Sequence, residues 1–284
     1  MNTINKARVI AFYLPQFHPI PENDEWWMKG FTEWTNVGKA LFPGHYQPKV
    51  PADLGYYDLR VPETRQAQAD MAREYGIEGF CYWHYWFGNG KRLLERPFNE
   101  VLASGKPDFP FCLAWANESW KGFFHGVKTK QALITQLYPG EDDYIAHFET
   151  VLPAFKDPRY ITVDDKPVFM IYQPFQHPQI KEFMALWQKL AMNNGLKGIF
   201  FIGQTYHLTE ERAELMDMGF DAINVTRLFD FEKKAKFLYK CAKWRHRIFR
   251  CPKIMEYKRV SRFFVGDEEY APEIIPTIIP NWDH

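Results

Sequence analysis

Carboxylate side chains lie beside tryptophan at three places in this sequence of 284 residues. Glu118 stands between Trp115 and Trp120 in FPFCLAWANESW, Glu33 lies in FTEW, and Asp283 lies in NWDH. Cleavage of a glycosidic bond needs two carboxyl groups, one protonated and one ionised, roughly 5–10 Å apart. Flanking tryptophans would desolvate Glu118 and raise its pKa into the range that suits this chemistry. We therefore predict Glu118 as one catalytic carboxylate, with Glu33 or Asp283 as the second.

Two alternatives remain open for these carboxylates. Glu118 has a structural reading, in which it caps a turn or pairs with Lys121. The choice between Glu33 and Asp283 also stays open, because loops that are distant in sequence converge only in the folded chain.

Aromatic and polar side chains at the ends of apolar runs are the predicted substrate contacts. Aromatic residues make up 18% of the chain, and rings with an apolar body and a polar edge suit sugar stacking. Amide and imidazole groups can exchange hydrogen bonds with sugar hydroxyls. The predicted substrate-binding residues are Gln16, His18, Trp34, Trp83, His84, Tyr85, Trp115, Asn117, Trp120, Tyr172, Gln204 and Asn281. For any single ring, burial in a large aromatic core is the alternative.

Metal and cofactor chemistry leave no mark in the sequence. His18, His84, His207 and His284 invite a metal hypothesis, but no HxH or HExxH pair occurs, and we predict no metal. The chain has neither a GxGxxG after a strand nor a P-loop, so no cofactor is predicted. A formal net charge of zero gives no reason to expect a nucleic-acid partner.

Alternating strand and helix patterns supply the frame for these residues. Buried-strand patterns cover 8–17, 77–86, 109–120, 166–172, 198–206, 220–228 and 273–279. Helical patterns cover 61–75, 91–104, 142–155, 178–194 and 210–218. The alternation predicts an α/β fold, a (β/α)8 TIM-type barrel in one domain spanning 1–284. Since one more strand and two more helices are needed to close it, we expect a barrel truncated after its seventh strand.

The chemistry of such a barrel lies at the carboxyl ends of its strands, where every polar and aromatic cluster named above falls. The segment 18–48 follows the first strand without helical or strand period. A loop of that length in a compact domain is usually functional.

Residues 231–262 form a basic insertion between the sixth and seventh strands. They hold 12 of the 35 Lys and Arg residues and only two of the 35 acidic ones, so the rest of the chain carries 23 basic and 33 acidic residues. Interleaved aromatic residues suit an anionic membrane face or a lipid-linked phosphate. The alternative is a solvated surface helix whose aromatic face packs on the barrel.

Cysteine usage and the N-terminus predict a cytoplasmic protein. Cys81 and Cys112 lie inside apolar strands, and the four cysteines have neither metal-site nor disulfide-scaffold spacing. The apolar run after Arg8 is too short for a signal peptide. Peripheral contact with the inner membrane through 231–262 is a further expectation.

Ten motifs together resemble the WbsX family, also described as glycosyltransferase WbsX or glycoside hydrolase family 99-like proteins. In order they are YLPQFHPIPENDEWW, GFTEWTNV, PGHYQP, ADLGYYDLR, GFCYWHYWF, RLLERP, PDFPFCLAWANESW, DPRY, DDKPVFMIY and PTIIPNWDH. The resemblance implies a TIM barrel related to endo-α-mannosidases and a place in O-antigen or other surface polysaccharide clusters. It also implies that Glu118 matches their carboxylate on the third strand. Those relatives have a second Glu close after the first, and Lys121 stands at that place here, so their mechanism does not transfer directly.

Three functions follow from these observations. The first is a metal-independent, glycan-active enzyme of bacterial surface polysaccharide biosynthesis, for O-antigen or capsule, acting on a glycan or lipid-linked saccharide. The second is a glycosyltransferase that uses a nucleotide- or lipid-linked sugar, with 231–262 holding the phosphate. The third is a carbohydrate-binding barrel without catalysis.

Overall fold

A computed structural model describes residues 7–39, 50–121, 132–249 and 256–280. The chain divides into two compact units, one of residues 1–37 and 50–201 and the other of residues 38–49 and 202–284. Each unit alternates strands with helices, and its principal strands are parallel. This confirms the predicted α/β class, while the expectation of a single domain stays a prediction.

The first unit is built on four parallel strands. Its strands are β1 (Ile10–Tyr13), β2 (Gly79–Trp86), β3 (Arg92–Leu93), β4 (Phe111–Trp115), β5 (Trp120–Lys121), β6 (Ala132–Ile134), β7 (Thr162–Val163) and β8 (Lys166–Ile171). Strands β1, β2, β4 and β8 lie side by side in that order, all parallel. The short strands β3 and β7 pair antiparallel to β2 and β8, and β5 pairs antiparallel to β6. The parallel order puts the carboxyl ends of four strands at one edge.

Among the described residues, the first unit has six α-helices, of which the last four lie at the predicted positions with shifted bounds. They are α1 (Pro21–Trp26), α2 (Glu33–Lys39), α3 (Pro62–Glu74), α4 (Arg96–Ser104), α5 (Glu141–Phe155) and α6 (Ile180–Asn193). Helix α4 begins five residues later than the pattern 91–104 predicts, because Arg92 and Leu93 pair with the end of β2 and Pro97 stands in the first turn of the helix.

Two short helices correct the prediction of an irregular segment after β1. Helix α1 has Pro21 at its start and acidic residues in its first turn, and α2 begins at Glu33. Both features favour a helix N-terminus. With six and seven residues, neither helix is long enough to show a 3.6-residue period in sequence.

The aromatic core of the first unit lies between the sheet and helices α5 and α6. Trp187 of α6 is fully buried and donates its indole N–H to the Tyr144 carbonyl of α5 at 3.0 Å. Its ring packs on Phe169 of β8 at 4.8 Å. These contacts pack α5 and α6 against each other and α6 against β8.

The second unit contains the last three predicted strands and the basic segment. Its elements are β9 (Phe200–Thr205), α7 (Leu208–Met218), β10 (Ala222–Val225), α8 (Asp230–Lys234), α9 (Lys236–Phe249), α10 (Tyr257–Val260) and β11 (Ile274–Pro276). Strand β10 pairs parallel with β9 and with β11. Arg227, just after β10, is buried and forms ion pairs with Asp230, Glu268 and Glu269. Across the four described ranges, no helix has both the length and the apolarity that crossing a bilayer requires.

Candidate active site

The side chains of β2 alternate between two faces of the sheet, and this alternation decides which of them can line a site. Tyr82 packs on α4, and Trp86 stacks on His147 of α5 with ring centroids 4.7 Å apart. The even-numbered residues of β2 therefore face the helices. Trp83 and Tyr85 point to the opposite side, which we name the inner face.

Three rings, from β1, from β2 and from the residue after β8, form an aromatic wall on the inner face. Trp83 stacks almost parallel on Phe12 of β1, with centroids 5.1 Å apart and an interplanar angle of 9°. Tyr172, directly after β8, meets Trp83 edge-on at 5.4 Å. Trp83 is half-buried and Phe12 is 39% exposed. Such a wall offers a flat apolar surface of the kind on which a sugar ring stacks.

Glu118 lies at the carboxyl end of β4, where the sequence predicts a catalytic carboxylate. Its backbone N–H donates to the Ala116 carbonyl at 2.9 Å, which closes a three-residue turn. The side chain is half-buried, and burial raises the pKa of Glu118. The positive charge of Lys121 acts in the opposite direction.

Glu33 is the first residue of α2, and the backbone places it beside the end of β1. Its N–H donates to the Gln16 carbonyl at 3.3 Å. Burial raises the pKa of Glu33 as well, and a weak hydrogen bond of 3.5 Å from Asn36 Nδ2 opposes the effect. Glu33 therefore meets the same condition as Glu118: a carboxyl group in a partly desolvated place.

Tyr85 connects the two carboxylates. Its ring is buried on the inner face, and burial raises the pKa of its hydroxyl well above the usual value. The negative charges of Glu118 and Glu33 raise that pKa further. Because such effects fall off with distance and screening, both carboxylates lie within electrostatic reach of one hydroxyl. Glu118 and Glu33, which are 85 positions apart in the sequence, thus both act on one side chain.

Trp120 completes the neighbourhood of Glu118. Its half-buried indole meets Tyr85 edge-on at 5.3 Å and Phe87 at 5.9 Å. Trp26 of α1 contacts it from another side at 6.0 Å. The ring covers part of the surface of Tyr85, and exclusion of water there strengthens the electrostatic effects of the two carboxylates on its hydroxyl.

Asn117 is a predicted sugar contact that the structure uses inside the protein. Its side chain is fully buried, and its Nδ2 donates to the Gln173 carbonyl at 2.8 Å and to the Tyr138 hydroxyl at 3.0 Å. The Oδ1 atom accepts from the Gln173 N–H at 2.7 Å. Asn117 therefore joins the segments after β4 and β8, and its role toward Glu118 is to position the backbone.

Trp115 and His84 face the helices, which corrects their prediction as sugar contacts. Trp115 is 1% exposed and donates its indole N–H to the Trp86 carbonyl at 2.9 Å. His84 is buried with its Nε2 atom 2.8 Å from Nε2 of His147. Burial lowers the pKa of His84 to about 3, so the ring is neutral at pH 7. The strand period of two explains both cases, because each residue occupies the outer register of its strand.

Trp34 holds α2 in place beside Glu33. Its indole N–H donates to the Tyr57 carbonyl at 2.8 Å, and its ring packs on Phe17 at 4.6 Å. The ring is half-buried, with Tyr56 edge-on at 5.2 Å. These contacts tie the α2 helix to the segment that precedes α3.

Buried polar side chains cluster in sequence between β1 and α2. Gln16 and His18, both predicted substrate contacts, are 4% and 1% exposed, and burial lowers the pKa of His18. Asn23 of α1 is fully buried, and neither atom of its amide has a hydrogen-bond partner among the described residues. The Nε2 atom of Gln16 is also without one. Buried polar groups without partners are costly, so these amides are candidates for ligand or water contact.

Sequence reasoning missed Asn23, because it looks like an ordinary polar residue in a polar stretch.

The remaining predicted site residues lie outside this neighbourhood or outside the described residues. Gln204 is buried in β9 of the second unit, with its Oε1 atom unpartnered among the described residues. Asn281 and Asp283 fall outside the described residues.

Comparison with known families decides the classification. The sequence profile described as glycosyltransferase WbsX matches residues 9–284. The chain belongs to the WbsX family. The resemblance inferred from the motifs is thereby confirmed.

Relatives of this WbsX chain include the uncharacterized protein WxcX from two strains of Xanthomonas campestris pv. campestris. Each is 45% identical over 220 residues, which cover 76% of this chain. The matched part is 30% of the length of WxcX, so this chain corresponds to a minor part of those relatives.

Solved structures of the GH99 endo-alpha-mannosidase from Bacteroides thetaiotaomicron resemble the WbsX chain in fold. The complex with BIS-TRIS-propane has a TM-score of 0.52 and 15% identity, and the match covers 85% of this chain and 66% of the mannosidase. A second structure of that enzyme gives a TM-score of 0.51 at the same identity, covering 84% and 67%. At 15% identity the likeness shows a similar fold and nothing beyond it, and it supports the predicted TIM-type barrel.

Proposed function

We propose that this WbsX-family chain is a carbohydrate-active enzyme that acts on glycosidic bonds, with Glu118 and Glu33 as its pair of carboxyl groups. The observation that carries the proposal is that both carboxylates act on the Tyr85 hydroxyl and that burial raises the pKa of each. A pair of this kind can divide the work of glycosidic cleavage, one group protonating the leaving oxygen and the other acting while ionised.

The surroundings of the two carboxylates suggest a division of roles. The positive charge of Lys121 lowers the pKa of Glu118, against the effect of burial. For Glu33, only a hydrogen bond from the neutral amide of Asn36 lowers the pKa. We therefore assign Glu118 as the ionised partner and Glu33 as the proton donor. Asp283 remains the alternative second carboxylate from the sequence.

The proposed substrate is a glycan that stacks on the aromatic wall of Phe12, Trp83 and Tyr172. Polar groups for the substrate would come from the segment between β1 and α2, which contains Gln16, His18 and Asn23. We propose a role in bacterial surface polysaccharide biosynthesis, O-antigen or capsule, in the cytoplasm. Its support is the membership in the WbsX family.

The test is turnover of a panel of oligosaccharides by Glu118→Gln and Glu33→Gln variants. Loss of a general acid or base typically costs about 10²–10⁴ in kcat, so each variant should fall by at least a hundredfold while still binding the glycan. Glu25→Gln, an exposed change on α1, is the matched control and should retain activity. Full activity in both test variants, with the fold preserved, would exclude the carboxylate pair.

A second candidate is a glycosyltransferase that takes a lipid-linked saccharide, with residues 231–262 in peripheral contact with the membrane. The observation that favours it is the basic helix α9, which exposes Phe237 and Trp244. Transfer from a polyprenyl diphosphate sugar to an acceptor oligosaccharide, without release of free sugar, would select this candidate. Calorimetric binding of a nucleotide sugar, lost when the basic segment is neutralised, would point to a nucleotide donor instead.

A further inference from the structure

Helix α9 carries an apolar stripe on the side that faces solvent. Phe237, Cys241, Trp244 and Ile248 recur at intervals of four, three and four residues, which places them on one face of a helix. All four are exposed, with 78% of Phe237, 65% of Trp244 and 50% of Ile248 accessible. Contiguous apolar surface of this kind usually marks a binding face.

A basic stripe runs beside the apolar one. Lys236, Lys240, Lys243 and Arg247 follow the same intervals, each one residue ahead of its apolar neighbour, and all are exposed. One residue along a helix turns the side chain by about 100°, so the two stripes are adjacent and parallel. The sequence of α9 contains no Asp or Glu.

The opposite side of α9 is the one that packs on protein. Ala242 is buried, and Leu238 and Tyr239 are half-buried. This orientation rejects the sequence-based alternative that the whole aromatic face packs inward, because Phe237 and Trp244 point away from the buried side.

We propose that α9 lies in the surface of an anionic phospholipid bilayer, with the apolar stripe inserted at the level of the headgroups and the basic stripe against the lipid phosphates. Charge complementarity selects this occupant, since four cations without a helical acidic residue match an anionic surface. Trp and Phe on the inserted side are the residues that suit a membrane–water interface. The inference concerns a surface of the second unit and stands whether or not the carboxylate pair is catalytic.

Cys241 provides a direct probe, because it lies on the apolar stripe and its thiol is exposed, whereas Cys81 and Cys112 are buried. The full chain with Cys251→Ser would be labelled at Cys241 with a nitrobenzoxadiazole fluorophore. Vesicles of phosphatidylcholine with about one third phosphatidylglycerol should shift its emission to the blue and sediment the protein, and raising the salt from about 0.1 M to about 0.5 M should weaken binding. Equal binding to pure phosphatidylcholine vesicles would overturn the role of the basic stripe.

Two pairs of variants test the stripes separately. Phe237→Glu with Trp244→Glu should weaken vesicle binding at least about tenfold, as should Lys240→Gln with Arg247→Gln. The matched controls are Tyr75→Glu with Met192→Glu, two exposed apolar residues of the first unit, and Lys29→Gln with Lys106→Gln, two exposed lysines. The controls should bind within about twofold of the parent chain.

Folding is checked by circular dichroism and the urea midpoint of each variant. If the glutamate pair unfolds the chain, the lysine and arginine pair still tests the proposal, because it changes only exposed charges. Test pairs that bind vesicles as well as their controls would overturn the proposal. The proposal would also be overturned if the parent chain did not bind vesicles but self-associated, and the same substitutions abolished this self-association. The apolar stripe would then contact a second copy of the chain.

Discussion

Asn117 and Gln173 exchange two hydrogen bonds, in which the Asn117 Nδ2 donates to the Gln173 carbonyl at 2.8 Å and its Oδ1 accepts from the Gln173 N–H at 2.7 Å. The two hydrogen bonds resemble those between paired β-strands, but they join the segments that follow β4 and β8. It fixes the backbone next to Glu118 on one strand and next to Tyr172 on the other. A proposed catalytic carboxylate and a proposed sugar platform are therefore held by one buried amide.

Replacement of Asn117 by Ala is the first prediction. Three hydrogen bonds are lost and two backbone groups of Gln173 lose their partner, so we expect the free energy of unfolding to fall by about 2–4 kcal/mol. Urea denaturation at pH 7 measures it. Asn193→Ala, at an exposed position on α6, is the control and should change stability by less than about 0.5 kcal/mol. If Asn117→Ala lowered the free energy of unfolding no more than Asn193→Ala does, the hydrogen bonds between Asn117 and Gln173 would not hold the two segments together.

The seven parallel strands were predictable because each contains a short apolar run, and such runs alternating with helical patterns are a strong signal in sequence. The faces were harder to predict. Trp83 and His84 are neighbours at one strand end, and only the register shows that Trp83 joins the aromatic wall while His84 meets His147 on the helix side. Position at a strand end therefore identifies the neighbourhood of a site but not its lining.

The proposed pairing of Glu33 with Glu118 had no local signal in the sequence that could decide it. Sequence left Glu33 and Asp283 as equal partners, and the choice of Glu33 depends on α2, a helix too short to leave a period. Asn23 was overlooked for a related reason, since its burial in α1 comes from tertiary packing rather than from an apolar pattern.

The second prediction concerns two glycines, for which substitution by alanine should change the stability of the chain in opposite directions. A Cβ on Gly79, at the start of β2, would lie 2.5 Å from the Pro110 carbonyl oxygen and 2.8 Å from the Ile161 Cδ1 atom, and the Pro110 backbone has little room to move. Gly79→Ala should destabilise the chain by about 1–3 kcal/mol. Gly38 lies in α2, and no atom of the described residues would lie within 4 Å of its Cβ, so Gly38→Ala should stabilise by about 0.5–1 kcal/mol through helix propensity. A urea midpoint of Gly79→Ala at or above that of the parent chain would show that the approach of Pro110 to Gly79 is not tight, and a fall for Gly38→Ala would contradict the open space at Gly38.

Buried histidines give a third prediction, concerning pH. Burial lowers the pKa of His84 to about 3 and that of His177 to about 4, and it lowers the pKa of His147 well below its usual value. The unfolded chain takes up protons on these rings near pH 6.5, whereas the folded chain does not. Stability is therefore fully present above about pH 6.5 and declines as the pH falls toward 4, with about 1.4 kcal/mol per pH unit for each histidine.

Nuclear magnetic resonance titration of the imidazole Cε1 protons separates this effect from the titration of carboxylates. The His84 and His147 signals should not move between pH 8 and about pH 5, while urea denaturation over the same range should show falling stability. Titration of either ring near pH 6.5 would mean that protonated imidazole is tolerated in the core.

The aromatic wall gives a fourth prediction. In a Glu118→Gln background, which keeps the glycan intact, Trp83→Ala should weaken glycan binding about three- to tenfold, because a stacked aromatic contact contributes roughly 0.5–1.5 kcal/mol. Trp83→Phe retains a flat ring against Phe12 and should restore most of the affinity. Calorimetry measures both. Equal affinity of the alanine and phenylalanine variants would place the sugar elsewhere.

The division of roles between Glu118 and Glu33 gives the last prediction, and Lys121 is the residue that tests it. Its positive charge favours the ionised form of Glu118, so Lys121→Gln raises the pKa of that carboxyl group. If Glu118 acts while ionised, the acidic limb of the profile of kcat/KM against pH moves to higher pH, and the alkaline limb, which reports the protonated Glu33, stays in place. Lys29→Gln, remote in sequence and exposed, should leave both limbs unchanged. Movement of the alkaline limb alone would reverse the assignment and make Glu118 the proton donor.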